Sequence, residues 1–312
     1  MKVKDAFVFF CGEEFVKRDI YIENGIFVGS GFDEDVIDAE DLYMLPGLID
    51  THLHGCAGAD FCDGIQEALR TMAEYQAENG ITTILPAAMT LDDKTLARAF
   101  SVAAEYVGTG ADIYGINMEG PYLSYAKRGA QSGKFLRLPE MEHFNEMQRA
   151  ARGKIKLVSV APELNGAIEF IEQCGVRVSI AHTEADYETT VKAFGAGAKN
   201  VTHLFNAMPP FLHRAPGVIG AAADCEDITV ELICDGVHVL PPVVRAAFKL
   251  FGDRRIILIS DSMRATGLGD GKYTLGGQEV SVEGNRAELA NGTVAGSVTN
   301  LADCLRIAVG MG

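Results

Sequence analysis

The seven histidines of the chain are His52, His54, His143, His182, His203, His213 and His238. Four of them close apolar, β-branched runs: His52 and His54 in LPGLIDTHLH, His182 in VRVSIAHT and His203 in NVTHLFN. Two carboxylates are placed the same way, Glu119 in DIYGINME and Asp261 in RIILISDS. Positions i and i+2 of a strand share a face, so His52 and His54 project together. Two neutral imidazoles on one face can bind one metal ion or flank two, and Glu119 adds a hard oxygen donor. A metal in such a set acidifies water and polarises a carbonyl. Asp261 would take the water proton and pass it to the leaving group. Taken alone, these residues read as a metal-dependent hydrolase. Neither a Ser-His-Asp order nor a GxSxG elbow competes with that chemistry.

Each residue also has a plainer reading. The HxH pair can be a hydrogen-bonded core pair. Glu119, beside Gly-Pro, can cap a turn, and Asp261 can be an N-cap or turn acid. A single histidine on an apolar strand is more often a satisfied core residue. What favours a site is that all of these candidates stand at strand ends. His143, in PEMEHFNEM, reads as solvated surface on a polar helix. The spaced glycines of GLGDGKY precede no helix and read as loop, not as a phosphate cradle.

The elements that must bring them together follow from the apolar pattern. Eight β-branched runs (45–54, 81–87, 112–119, 156–163, 176–183, 200–206, 228–235 and 255–262) alternate with amphipathic stretches such as IQEALRTMAEYQAEN (65–79), which Gly80 ends. Strands alternating with helices predict a parallel sheet. Eight of them predict a TIM-type (β/α)8 barrel over 45–270, in which every strand's C-terminal end opens on one face. An open doubly wound sheet is the alternative, but no Gly-rich fingerprint follows the first strand. Residues 1–44 read as a small β module, with Asn24-Gly25 as a hairpin turn. Segment 271–294 reads as a further β hairpin. The fold expected is thus the barrel plus a small β-sandwich module made from the N-terminal strands and these later β segments. Residues 295–312 read as the start of a last barrel helix, and the chain end there looks like a truncation.

Composition narrows the function classes. Lys and Arg number 27 against 43 Asp and Glu, a formal charge of −16. That balance argues against a nucleic-acid or anionic-membrane surface, though one local cation suffices for a small anionic substrate. Hydrophobic content of 48% with 34 Gly suits a globular chain with a large core. Seven cysteines without a CxxC pair read as buried thiols of a reducing compartment. No leader or membrane span is evident in the pattern, so a cytoplasmic location is expected.

The motifs PGLIDTHLHG, MEGPYL, SIAHTEADY, VTHLFNAMPP, CDGVHV, LISDSMRATGLGDGKY and NGTVAGS occur in that order. Together they resemble the N-acetylglucosamine-6-phosphate deacetylase family of the amidohydrolase superfamily. The resemblance covers nearly the whole chain; HxH alone marks the superfamily, whereas THLFNAM, MEGP and DGVH are specific. It implies removal of acetate from N-acetylglucosamine 6-phosphate. It also implies Glu119, His182 and His203 as core metal ligands, with His52 and His54 as the first-strand pair of members with a second metal position. Asp261 would be the catalytic acid/base. One or two divalent ions (Zn, Fe or Mn, with Zn favoured) would be bound. His238 and Arg214 match positions that meet the sugar phosphate, with Arg214 reaching a neighbouring subunit's site in a homodimer. Ala130, Gln131, Asn206, Ala207, Val294, Ala295 and Gly296 match loops around the substrate. Gln131 stands where some members carry a histidine that helps bind or polarise the substrate. The family also continues past the last barrel helix with strands that complete the small β module.

Two other readings are carried beside this one. One is a related amidohydrolase acting on another N-acyl amine or a cyclic amide, which would have less need for Arg214 and His238. The other is a metal-free barrel used as a binding or assembly module, which has no need for the full donor set.

Overall fold

The eight apolar runs form eight parallel strands in the computed structural model, which describes residues 1–10, 14–31 and 35–312. Their ranges are β1 (Leu48–Leu53), β2 (Ile81–Pro86), β3 (Asp112–Ile113, continued by Ile116–Met118), β4 (Ile155–Val160), β5 (Arg177–Ile180), β6 (Asn200–Val201), β7 (Thr229–Ile233) and β8 (Ile256–Ile259). Successive strands pair in parallel from β1 to β8. An Ala87–Asn117 bridge helps to join β2 to β3. The ring closes where Asp261 N–H donates to His52 O at 2.9 Å and His54 N–H donates to Ser262 O at 2.7 Å. The result is a TIM-type domain.

Helices between the strands bury one stripe each. In α1 (Gln66–Glu78) the stripe is Ala68, Leu69, Met72, Ala73 and Gln76, the 3.6-residue pattern of an amphipathic helix. The N-cap Asp92 of α2 (Asp93–Glu105) accepts from Thr95 N–H at 3.1 Å. Helices α3 (Met141–Ala150), α4 (Ala167–Gln173), α5 (Tyr187–Ala196), α6 (Gly217–Asp224) and α7 (Pro241–Phe251) continue the alternation, and α8 (Leu301–Gly310) starts at an Asn300 cap. Among the described residues no helix is long and apolar enough to cross a membrane.

The barrel interior is not wholly apolar. Asp50, Asn117, Ser179, Asn200, Thr202, Glu231 and Ser260 are all buried on or beside the strands. Several of them pair: Ser260 Oγ donates to Asp50 at 2.5 Å, and Asn200 Nδ2 donates to Glu231 at 3.0 Å. Burial pushes the Asp50 carboxyl up to about 6 against the hydrogen bonds from Ser260 and His52 that favour its charge.

The chain divides into two units, Met1–Gly47 and Leu48–Gly312. In the first, Lys2–Phe10 pairs antiparallel with Glu14–Glu23 and parallel with Val36–Asp38 and Tyr43–Met44. Glu14–Glu23 turns into Ile26–Val28 through Asn24 and Gly25, whose φ values of 51° and 76° are those of a type I′ turn. Its core is small, built on Ala6, Val8 and Ala39.

Three expectations need correction. The later β segments do not add strands to the N-terminal sheet. Gly271–Leu275, Gln278–Glu283 and Arg286–Leu289 form their own antiparallel three-stranded meander, one strand more than a hairpin, and they belong to the second unit. Tight Gly276-Gly277 and Gly284-Asn285 turns pair these strands with each other, while Leu275, Val280 and Val282 pack into the barrel core. His143 is buried, not solvated: it accepts or donates at 2.7 Å to Tyr122 Oη and lies 3.2 Å from Asp93. Of the cysteines, five are buried and Cys225 is half-buried, while Cys11 lies outside the described residues.

Candidate metal centre and catalytic pocket

All six donor candidates stand at the end of a barrel strand. His52 and His54 finish β1, Glu119 follows β3, His182 follows β5, His203 follows β6 and Asp261 follows β8. His182, His203 and Asp261 each have positive φ (44°, 29° and 48°), a region that non-glycine residues seldom occupy. Each such residue costs on the order of 1–3 kcal/mol, which the surrounding packing must hold in place. The left-handed step turns these side chains off the strand direction into the mouth. Gly120 serves Glu119 in a related way: φ is +92°, and a Cβ there would meet Thr90 Oγ1 at 2.1 Å.

The donor atoms converge into two groups, one of Glu119, His182 and His203, the other of His52, His54 and Asp261. Glu119 Oε1 lies 3.1 Å from His203 Nε2 and 3.2 Å from His182 Nε2, and those two nitrogens are 3.1 Å apart. On the other side, Glu119 Oε2 is 3.4 Å from His54 Nε2, and Asp261 Oδ1 is 3.3 Å from His54 Nε2 and 3.6 Å from His52 Nε2. Oε1 also lies 3.5 Å from His52 Nε2, so Glu119 stands between the groups and its carboxylate reaches both. Ligands about 2.0–2.2 Å from one tetrahedral ion stand roughly 3.3–3.6 Å from each other, so this spacing suits cations held between the donors.

Tautomers point the same way. His54 Nδ1 faces the Ala87 carbonyl at 3.0 Å and His182 Nδ1 faces the Lys127 carbonyl at 2.8 Å. A carbonyl only accepts, so both Nδ1 atoms carry the proton and the neutral rings offer their Nε2 lone pairs to the centre. His52 Nδ1 likewise faces a carboxylate oxygen of Glu231 at 3.1 Å. His52 Nε2 is then buried with no hydrogen-bond partner. A buried unpaired nitrogen is rare in proteins, and a bound cation would satisfy this one. The donor set of imidazoles and carboxylates thus fits a divalent metal.

The electrostatics agree. Burial opposes charge on His54, but the Asp261 and Glu119 carboxylates outweigh it and raise the imidazole to about 10. Burial alone would raise the Asp261 carboxyl, yet His54 and His52 pull it down to about 2. Glu119 is driven well below the usual carboxylate range by His52, His182 and His203, again against burial. A field that holds a proton on a ring nitrogen also favours a cation in the proton's place.

Above the donors lies a cavity of about 340 Å3, within the size range of small-molecule sites. His54, Glu119, Ala130, Gln131, His182, His203, Asn206, Ala207, His238, Asp261, Val294 and Gly296 line it. His52 sits buried beneath the lining. Ala295 is fully buried and meets Ala287 through its backbone, so it supports the loop without lining the cavity. Arg214 is exposed on the 211–215 loop, beside His213, and does not line this cavity.

Sequence reasoning missed several contributors, and it missed the bracing role of Gln131, which it had placed among the substrate contacts. Lys127 is the one Lys or Arg among the residues lining the cavity; its backbone carbonyl holds His182, and its Nζ donates to Met208 O at 3.5 Å. Asp235 accepts from the His238 ring at 2.7 Å and from the Val237 and His238 backbone. The DGVH spacing was visible, but the Asp could be read only as part of a motif. Gln131 Oε1 accepts from Thr90 N–H at 2.6 Å while its Nε2 donates to Glu119. Glu231, inside the apolar run ITVELICD, gave no signal beyond being a charge in a buried strand.

Comparison with known proteins follows the same residues. Positions 43–266 match the model of the amidohydrolase family. An N-acetylglucosamine-6-phosphate deacetylase of Bacillus subtilis (strain 168) is 39% identical over 279 residues, covering 86% of this chain and 70% of that relative. An N-acetylgalactosamine-6-phosphate deacetylase of Escherichia coli O157:H7 is 35% identical, covering 86% of this chain and 72% of the relative. Among solved structures, a variant of N-acetyl-D-glucosamine-6-phosphate deacetylase from Mycobacterium smegmatis, in complex with N-acetyl-D-glucosamine-6-phosphate, superposes with a TM-score of 0.91 at 33% identity. That match covers all of this chain and 84% of the other.

Proposed function

The chain belongs to the amidohydrolase family, and we propose that within it the protein hydrolyses the acetamide of N-acetylglucosamine 6-phosphate, releasing acetate and glucosamine 6-phosphate. The observation that carries this reading is the pairing of two donor groups through Glu119, with Asp261 at the floor of a sugar-sized cavity. The relatives that share most of this chain carry that activity in their names.

His52, His54, Glu119, His182 and His203 are proposed as the metal ligands, with Asp261 shared between ligation and catalysis. Two divalent ions are proposed, zinc first, since imidazole and carboxylate donors suit it. When bound, such ions acidify water and polarise the acetamide carbonyl. The protein's own groups do the rest. Asp261 Oδ accepts the proton of the attacking water and returns it to the amine nitrogen as the C–N bond breaks. Gln131 holds Glu119 in place from Thr90 N–H. Asn206, Ala207, Val294 and Gly296 are proposed to seat the sugar, with Ala130 and Ala295 shaping their loops.

The phosphate is assigned to His238 and Lys127 of the same chain. Charged donors suit this place because the phosphate is an anion and charge-assisted hydrogen bonds to it are the strong ones. Arg214, exposed and outside the cavity of its own chain, is proposed to serve the cavity of a second copy in a homodimer, where its planar fork suits a phosphate. The described cysteines are all free, which supports a reducing, cytoplasmic setting.

Amine release is measured from N-acetylglucosamine 6-phosphate, from the same sugar without phosphate, and from N-acetylgalactosamine 6-phosphate, with Zn2+ supplied. Turnover confined to phosphorylated sugars supports the assignment. Preference for the galactosamine isomer moves the substrate to that sugar, the one named for the Escherichia coli relative. No turnover on any of them by folded, zinc-loaded protein refutes it.

A further inference from the structure

Glu231 lies in the middle of β7 and is fully buried inside the barrel. Most such positions in a barrel are filled by branched aliphatics, and a buried carboxylate is costly unless its oxygens are well used. Here every contact is with an N–H donor. Oε1 accepts from Asn200 Nδ2 at 3.0 Å, and Oε2 accepts from His203 N–H at 3.4 Å and faces His52 Nδ1 at 3.1 Å. Asn200 is itself held by Thr229 Oγ1 and by Ser179, so the carboxylate cannot rotate freely. The other nitrogen of the His52 ring, Nε2, is buried without a hydrogen-bond partner.

We infer that Glu231 is the positioning residue of the first-strand half of the centre. By accepting the His52 Nδ1 proton it fixes the tautomer and aims the Nε2 lone pair at the point shared with His54 and Asp261. The other three imidazoles do not need it: His54 and His182 are oriented by backbone carbonyls, and His203 meets Glu231 only through its backbone N–H. Glu231 therefore acts on one ion of two. The inference rests on the two-ion reading given above.

The test is zinc affinity by equilibrium dialysis, with metal content read by atomic emission, on the full chain and three variants: Glu231→Gln, His52→Ala and the double variant. Thermal unfolding of the metal-free proteins checks folding. Loss of a partner behind a metal ligand typically costs 10–100-fold in affinity. Glu231→Gln is expected to weaken one of two zinc ions by that factor and leave the other within about threefold. In the His52→Ala background it is expected to cause no further loss, because the interaction it removes is already gone. An unchanged affinity in Glu231→Gln, or an equal loss with and without His52, overturns the inference while leaving the two-ion reading intact. If His52→Ala itself leaves zinc uptake unchanged, the two-ion reading fails and takes the inference with it. Should Glu231→Gln not fold, Glu231→Asp keeps the charge but withdraws from His52, and must weaken the same ion.

Discussion

Gln131 donates a 2.7 Å hydrogen bond from Nε2 to Oε2 of Glu119, the carboxylate that stands between the two donor groups. Its other amide atom is engaged by Thr90 N–H, so the side chain acts as a brace. Replacement by Leu leaves Thr90 N–H and Glu119 without those partners. A hydrogen bond to a charged group contributes about 1.5–3 kcal/mol, so Gln131→Leu is expected to lower kcat/KM by about 10–100-fold. Gln131→His is expected to bring no rise in turnover; a large rise would show that the position limits the reaction and that the brace is secondary.

Asp261→Asn tests the proton transfer. Asn keeps the shape of the side chain but cannot take a proton from water. General acid–base groups contribute typically 10²–10⁴-fold, so kcat is expected to fall by that range with KM little changed. Retention of both zinc ions, the one at Glu119, His182 and His203 and the one at His52 and His54, would exclude metal loss as the cause. A kcat within tenfold of the parent would remove Asp261 from the role.

Lys127→Met tests phosphate recognition. The substitution keeps the backbone carbonyl that orients His182 and removes the ammonium, together with its 3.5 Å hydrogen bond to Met208 O. The ratio of kcat/KM for the phosphorylated sugar to that for the free sugar is expected to drop by about 10–100-fold, the range of a charge-assisted contact. An unchanged ratio would leave His238 and Arg214 to carry the phosphate.

His238 sets a pH limit. Burial opposes its charge, but the Asp235 carboxylate 2.7 Å away outweighs burial and raises its pKa above the usual imidazole value. A raised folded pKa means that the charge, and the stability it brings, are fully present below about pH 6.5. Both are lost as pH rises through the folded value. KM for the phosphorylated sugar is therefore expected to stay low through neutral pH and rise on the alkaline side. In Asp235→Asn that rise is expected to begin at lower pH. A KM–pH profile that does not move on this substitution would sink the assignment.

His143 is structural. It joins the buried Tyr122 hydroxyl to Asp93 at the start of α2. His143→Ala leaves that hydroxyl without its partner and opens space beneath Tyr122, so a loss of about 1–3 kcal/mol is expected in urea unfolding. Kinetic constants of the folded variant should change little. A stability loss below about 0.5 kcal/mol would mean that water replaces the ring.

The barrel strands were legible because each is a short β-branched run ending in a polar residue, and periodicity survives in a linear string. The strand-end histidines and acids were legible for the same reason: in a parallel barrel, the chain position of a strand end already fixes its face. His143 was misread because the acids around it imply solvent, whereas α3 turns that one position inward against Tyr122. The 271–289 strands were assigned to the wrong partner because alternation marks a strand but not what it pairs with.

The amino-acid sequence by itself determined the residue types, their order along the strands and the motifs shared with the family. Only the tertiary structure decided how those residues act on one another. It set the left-handed turns at His182, His203 and Asp261, the bridging place of Glu119, the Gln131 brace and the Glu231 carboxylate behind His52. The reason is physical. Local propensity acts over a few residues, whereas His52 and Glu231 are 179 positions apart and meet only when the ring of strands has closed.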